Sequence, residues 1–185
     1  MKNIELEEPR NMLEERALQR KAWIAFGRKL QPKLFITLKF RFDIPIGNQI
    51  ESDQDLQRYF TTLRPENALE IANELLLRIH QRFFGRSKSE QLLGIGCLEY
   101  QASGMPHFHF LIGNDIKAER FKEMANKVIL KARSHRKPLY LLDENSVDVR
   151  SVEDEEGAAR YVTKLFKHWN NGEQMLLLNE SILFA

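Results

Sequence analysis

Two hydrophobic periods alternate along the chain, and the switches between them mark out its elements. From Glu66 to about Phe84 apolar residues return every three or four positions, at Ala68, Ile71, Ala72, Leu75, Leu76, Ile79 and Phe83, which is one stripe of an α-helix. Gly85 follows as its stop. Lys117 to about Ser134 predicts a second such helix burying Phe121, Met124, Ala125, Val128 and Ile129. Glu153 to about Trp169 predicts a third, with Ala158, Val162, Leu165, Phe166 and Trp169 as its buried stripe. A helical lead-in spans about Glu7 to Leu30, on a rougher stripe of Leu13, Ala17 and Ile24.

Period two marks the strands. Lys33 to Phe40 sets Leu34, Ile36, Leu38 and Phe40 on one face and Phe35, Thr37 and Lys39 on the other. Leu92 to Gln101 shares Ile95, Cys97, Glu99 and Gln101 on one face, and after a short turn, 102–106, the run His107-Phe108-His109-Phe110-Leu111-Ile112 alternates again. Val147 to Val152 is a further strand, and a short one is expected around Leu139 to Leu141. Asp43 to Pro65 reads as a long loop, with or without a short helix near Asp55 to Thr61.

Helices that separate strands able to pair antiparallel predict an α+β fold. The expected architecture is a two-layer sandwich: an antiparallel sheet of about five strands with ferredoxin-like, split βαβ topology, helices mainly on one face, and an N-terminal helix besides. One domain fills residues 1–185: lead-in 1–32, core 33–169, and a tail 170–185, apolar in patches, that closes the core or meets a partner. A length of 185 residues has no room for a second catalytic domain.

Composition narrows the class. With 43% hydrophobic and 29% charged residues and no apolar run near the roughly 20 residues of a span, a soluble protein without a membrane partner is expected. The first sixteen residues are too acidic and polar for a secretory signal. The single cysteine, Cys97, excludes an internal disulfide and a cysteine-based zinc cluster and predicts the reducing cytoplasm. Any metal must then come from histidine and carboxylate. The net charge of +2 decides little, but Lys117 to Lys137 is locally basic, a face for phosphates or simply a solvated helix surface.

Candidate chemistry centres on the histidine strand. His107 and His109 share a face, either as merely hydrogen-bonded side chains or as metal ligands. Glu99, eight residues earlier across a short hairpin, is an acid in an otherwise apolar strand and costly there unless paired or metal-bound. It is the candidate third ligand, with Gln101 in reserve. On the last helix, Tyr161, Lys164 and His168 fall together beside the buried stripe. A tyrosine there can look back across the sheet, although an amphipathic tyrosine with a solvated lysine would read the same way.

His107-Phe108-His109 followed by Tyr161-Val162-Thr163-Lys164, with an acid in the preceding strand, resembles the HUH (His-hydrophobe-His) endonucleases, in particular rolling-circle replication initiators with one catalytic tyrosine. The resemblance covers roughly Lys33 to Trp169; Phe35-Ile36-Thr37-Leu38 is a looser likeness to their first motif. It implies a metal-dependent nickase of single-stranded DNA. Mg²⁺ or Mn²⁺ would be held by His107, His109 and Glu99, Tyr161 would be the nucleophile forming a 5′-phosphotyrosyl link, and Lys164 would position the phosphate or stabilise its charge. Single-stranded or hairpin origin DNA would be the partner, contacted by Lys39, Arg41 and the basic stretch, Lys117, Lys127 and Lys131 included. Leu165 stands where a second tyrosine would fall, so transfer by two alternating tyrosines is not expected. No Gly-rich Lys-Ser/Thr loop exists, so unwinding and synthesis would come from a host helicase and polymerase.

Three other readings stay open at this point. A single-tyrosine transposase or relaxase would carry the same residues. A non-catalytic, RNA-recognition-type sheet would share the element order but wants exposed aromatics on its central strands. A metallohydrolase that activates water would leave Tyr161 dispensable.

Overall fold

The computed structural model describes residues 10–40, 65–85, 91–100, 106–133, 142–164 and 175–178. In chain order the elements are α1 (Arg10–Lys29), β1 (Leu34–Lys39), α2 (Pro65–Phe84), β2 (Gly94–Tyr100), β3 (Pro106–Ile112), α3 (Ala118–Arg133), β4 (Val147–Ser151), α4 (Glu155–Val162) and β5 (Met175–Leu178). Strands β1 to β4 lie in the order β4-β1-β3-β2, every pair antiparallel. That is the split βαβ order expected from the sequence: α2 carries the chain from β1 past β3 to β2, and α3 carries it from β3 past β1 to β4. The tail adds β5 to the free edge of β2, Gly94 opposite Leu178, so the sheet has five strands and open edges.

One sheet face is apolar throughout. Leu34, Ile36 and Leu38 of β1, Leu98 of β2, and Phe108, Phe110 and Ile112 of β3 meet Ile71, Leu75, Leu76 and Ile79 of α2 and Phe121, Ala125, Val128 and Ile129 of α3. Alternation along each strand and the stripe on each helix leave no other way to remove these side chains from water together. Each fully buried Leu, Ile or Phe contributes about 1.5–3 kcal/mol to that face. Two glycines fit it together. Gly85 ends α2 with φ +67°, a conformation that costs glycine nothing, and a Cβ on Gly96 would come within 2.3 Å of the Phe110 ring.

The other face carries a smaller cluster of Ile95, Cys97, Leu111, Ala159 and Val162, with Trp23, Ile24, Leu30 and Phe35 against it. Here α1 and α4 pack, so the helices form a layer on each side of the sheet and not mainly on one, as the two-layer expectation had it. Arg20 Nε donates to the Thr163 carbonyl at 3.1 Å and Arg28 pairs with Glu156 at 3.4 Å, fastening α1 to α4. Of the rough stripe expected on α1, Ile24 packs on this cluster and Ala17 is exposed, and Trp23 and Leu30 join the contact.

The last helix is shorter than its sequence stripe predicts. It ends at Val162, and the Thr163 hydroxyl donates to the Ala159 carbonyl at 2.9 Å at its C-cap. Ala159 and Val162 are its buried residues; Ala158, expected on the buried stripe, is partly buried against the same cluster and also borders a cleft. Leu165, Phe166, His168 and Trp169 fall outside the described residues, as do Gln101, Arg41, the 43–64 loop and the strand expected at 139–141. Among the described residues no helix is long and apolar enough to cross a membrane.

Candidate metal centre

Strand register brings the centre together before any side chain is considered. Antiparallel pairing sets Glu99 directly opposite His107, and Cys97 opposite His109. On the other side of β3, Thr37 stands opposite His109 and Lys39 opposite His107. Directly paired residues share a face, with Cβ atoms roughly 4.5–5.5 Å apart, so Glu99, His107 and His109 must meet. They do so on the face opposite the large apolar core.

The geometry converges on one carboxylate oxygen. Glu99 Oε2 lies 3.2 Å from His107 Nε2, 3.4 Å from His109 Nε2 and 3.2 Å from Lys164 Nζ. Glu99 is 5% exposed and His109 4%. Burial alone would raise the Glu99 carboxyl, but the two histidines and Lys164 outweigh it and hold the group well below the usual carboxylate range. Lys164 shows the complement: burial opposes its charge, and Tyr161 and Glu99 outweigh burial and raise it. The Cys97 thiol is pushed up, first by burial and then by the Glu99 charge, so the donors available are imidazole and carboxylate.

Those donors suit a metal ion. One ligand atom each from Glu99, His107 and His109 lies within 4.8 Å of the others. Around an ion with bonds of about 2.0–2.2 Å, neighbouring ligand atoms stand roughly 3.0–3.5 Å apart, the range of the two Glu99–histidine distances. Among the described residues, the buried atoms Glu99 Oε1, His107 Nδ1 and His109 Nε2 find no hydrogen-bond partner, a cost that an ion at the Nε2 and carboxylate positions would relieve in part. The group could hold a metal, and it is consistent with a His-hydrophobe-His motif.

Tyr161 stands at the edge of this cluster. Its ring packs edge-on to His109 at 5.1 Å and to Phe35 at 5.5 Å, and Lys164 Nζ lies 3.7 Å from its ring centre. Its position follows from the start of α4. Asp154, in extended conformation, caps the helix by accepting from Gly157 N at 2.9 Å, and Glu155 and Glu156 complement the dipole in the first turn. Tyr161 remains 44% exposed, at the wall of a cleft of about 590 Å³ whose other borders include His107, His109, Lys39, Asp148 and Arg150.

The remaining predicted contacts divide by face. Lys39 lines the cleft. Lys127 and Lys131 ride on α3 and Lys117 just precedes it, and α3 packs on the opposite side of the sheet from the centre; Lys127 is moreover paired with Glu123 at 2.6 Å. The structure therefore does not bring these three to the centre, because β3 turns its histidines away from the face that α3 covers. Arg150, bonded to Asp148 at 2.9 Å, is the cleft cation that sequence reasoning missed. The signal was present in Val147-Asp148-Val149-Arg150, whose polar positions pair with Thr37 and Phe35. Against models of protein families, curated proteins and solved structures, the chain finds no match.

Proposed function

We propose that this protein is a metal-dependent nicking and joining enzyme for single-stranded DNA, of the HUH type, acting as a rolling-circle replication initiator. The observation that carries the reading is convergence: a tyrosine and a lysine from one helix end lie against a Glu-His-His cluster built from two strands. Either half alone is common in proteins. A phenol beside a charge-compensated, ion-sized donor set at the wall of an open cleft is what transfer of a phosphodiester to tyrosine requires.

Glu99, His107 and His109 would hold Mg²⁺ or Mn²⁺, which supplies Lewis-acid polarisation of a phosphate oxygen when bound. Of these two ions, Mn²⁺ tolerates imidazole donors better than Mg²⁺. The phenolic oxygen of Tyr161 forms the new bond to phosphorus, and the bond from phosphorus to the 3′-oxygen breaks. Tyr161 gives up its proton and the departing 3′-oxygen gains one, so the products are a free 3′-hydroxyl and a 5′-phosphotyrosyl link. The reverse step, with an incoming 3′-hydroxyl, rejoins the strand. Lys164 holds the negative phosphate beside Tyr161, and Lys39 and Arg150 receive neighbouring phosphates along the cleft. A host helicase and polymerase would complete replication.

Incubating the protein with Mn²⁺ and single strands bearing hairpin origins tests this. The expected product is a protein-DNA adduct that survives denaturation and disappears with chelator. Cleavage without any adduct, undiminished in Tyr161→Phe, would instead assign the centre to a hydrolase that activates water.

A further inference from the structure

We propose that Thr37 is a positioning residue for the metal centre, whose hydroxyl reverses its hydrogen-bonding role as His109 changes tautomer on binding a cation. The inference rests on the metal centre of the proposed function and on nothing about Tyr161 or DNA. Thr37 is 8% exposed, and its Oγ1 lies 3.1 Å from His109 Nδ1 in the buried interior of the site face. Pairing of β1 with β3 places it there, Thr37 directly opposite His109.

A neutral His109 would have one proton for two different neighbours. Its Nε2 faces Glu99 Oε2 at 3.4 Å. Without an ion, a bare lone pair on Nε2 against a carboxylate is repulsive, so the favoured neutral tautomer carries its proton on Nε2. Nδ1 then needs a donor. With an ion at Nε2, the lone pair there is the ligand, the proton moves to Nδ1, and Nδ1 needs an acceptor. A backbone carbonyl or a carboxylate could serve only the second state. A hydroxyl has both a proton and lone pairs and can rotate to suit, so Thr37 serves both.

The two histidines differ in this respect. Among the described residues His107 Nδ1 has no hydrogen-bond partner, and none of them orients the His107 ring in the way Thr37 orients His109. Affinity for the cation should accordingly depend on Thr37 to the degree usual for outer-shell partners of ligating histidines, about 10–100-fold. Valine is the informative replacement, since it keeps the branched shape that packs on β1 and removes the hydroxyl.

Mn²⁺ alone, titrated into the full chain with no DNA present and followed by the electron paramagnetic resonance of free Mn²⁺, provides the test. Thr37→Val should weaken binding at least about tenfold, and Thr37→Ser should restore it to within about threefold of the wild type. Equal affinity for Thr37→Val and wild type, or a serine variant as weak as the valine one, would overturn the proposal. On the wild-type protein, long-range ¹⁵N–¹H correlation spectra with and without Mg²⁺ should show the His109 proton on Nε2 before and on Nδ1 after. An unchanged tautomer overturns the role reversal whatever the variants do. A wild type that binds neither ion removes the metal centre and this proposal together, whereas tight binding with no DNA adduct would remove the nickase reading and leave Thr37 in its place.

Discussion

The two faces of the sheet solve opposite problems with the same strands. Beneath α2 and α3, Phe108, Phe110, Leu38 and Ile79 are sealed with almost no exposure. On the other face, one residue along each strand, Glu99, His107 and His109 share a small space with polar atoms that have no partner among the described residues, and the eight-residue α4 leaves a cleft open beside them. Period two permits this, since neighbouring positions in a strand belong to different environments. Stability can thus be invested on one side while the other tolerates groups that burial penalises.

If the faces are separable in this way, substitutions should sort by face. Phe110→Ala, on the sealed side, should lower unfolding free energy by about 3–5 kcal/mol in urea titration, leaving Mn²⁺ affinity of the folded protein within about twofold. A proportionate loss of metal binding would show that the faces are coupled. Glu99→Gln does the reverse: it should reduce Mn²⁺ affinity at least about a hundredfold, or about 2.8 kcal/mol at 1.4 kcal/mol per tenfold change, as read by isothermal calorimetry.

The same residue sets an acid dependence in the absence of metal. Because the folded Glu99 carboxyl is held below its ordinary value of 4.5, the unfolded chain binds more protons as pH falls through that region. Its contribution is therefore complete above about pH 4.5 and lost as pH drops toward the folded value. Unfolding free energy measured between pH 6 and pH 3 should fall less steeply for Glu99→Gln than for the wild type. Equal slopes would mean that Glu99 is not held ionised by its neighbours.

Smaller effects separate the two basic surfaces. Arg150→Glu or Lys39→Glu should weaken single-strand binding by about tenfold at low salt, while Lys127→Glu on the far face should change it by less than about twofold. Equal losses would put the nucleic acid on α3 as well. Smallest of all, Asp154→Ala removes the cap of α4 and should cost about 1 kcal/mol, with a drop in cleavage if the start of that helix fixes Tyr161.

Much of this arrangement was legible in the sequence because it depends on short-range periodicity. Alternation in His107-Phe108-His109-Phe110 assigns faces without any knowledge of the partner strand, and eight residues of separation bring Glu99 within reach through a hairpin. Which face α3 covers, by contrast, depends on how β1 and β3 pair, so periodicity could name the basic stretch as a phosphate contact without placing it relative to the histidines; Phe121 and Ile129 anchor its helix on the reverse side. Arg150 and Thr37 were hidden for a related reason. Each becomes part of the site only through register with a strand far away in sequence, Thr37 with His109 across 72 residues. The last helix was over-extended because an apolar stripe continues past Val162, and periodicity does not register a cap such as Thr163.

The central claim is that the ion-sized cluster exists to serve Tyr161. Wild-type protein and Tyr161→Phe, each incubated with Mn²⁺ and a labelled hairpin-bearing single strand and then denatured, measure it directly through the yield of covalently linked protein. A covalent species with the wild type, its loss on chelation and its absence in Tyr161→Phe, with Mn²⁺ affinity unchanged, are the predicted result. The same covalent yield from Tyr161→Phe would contradict the account.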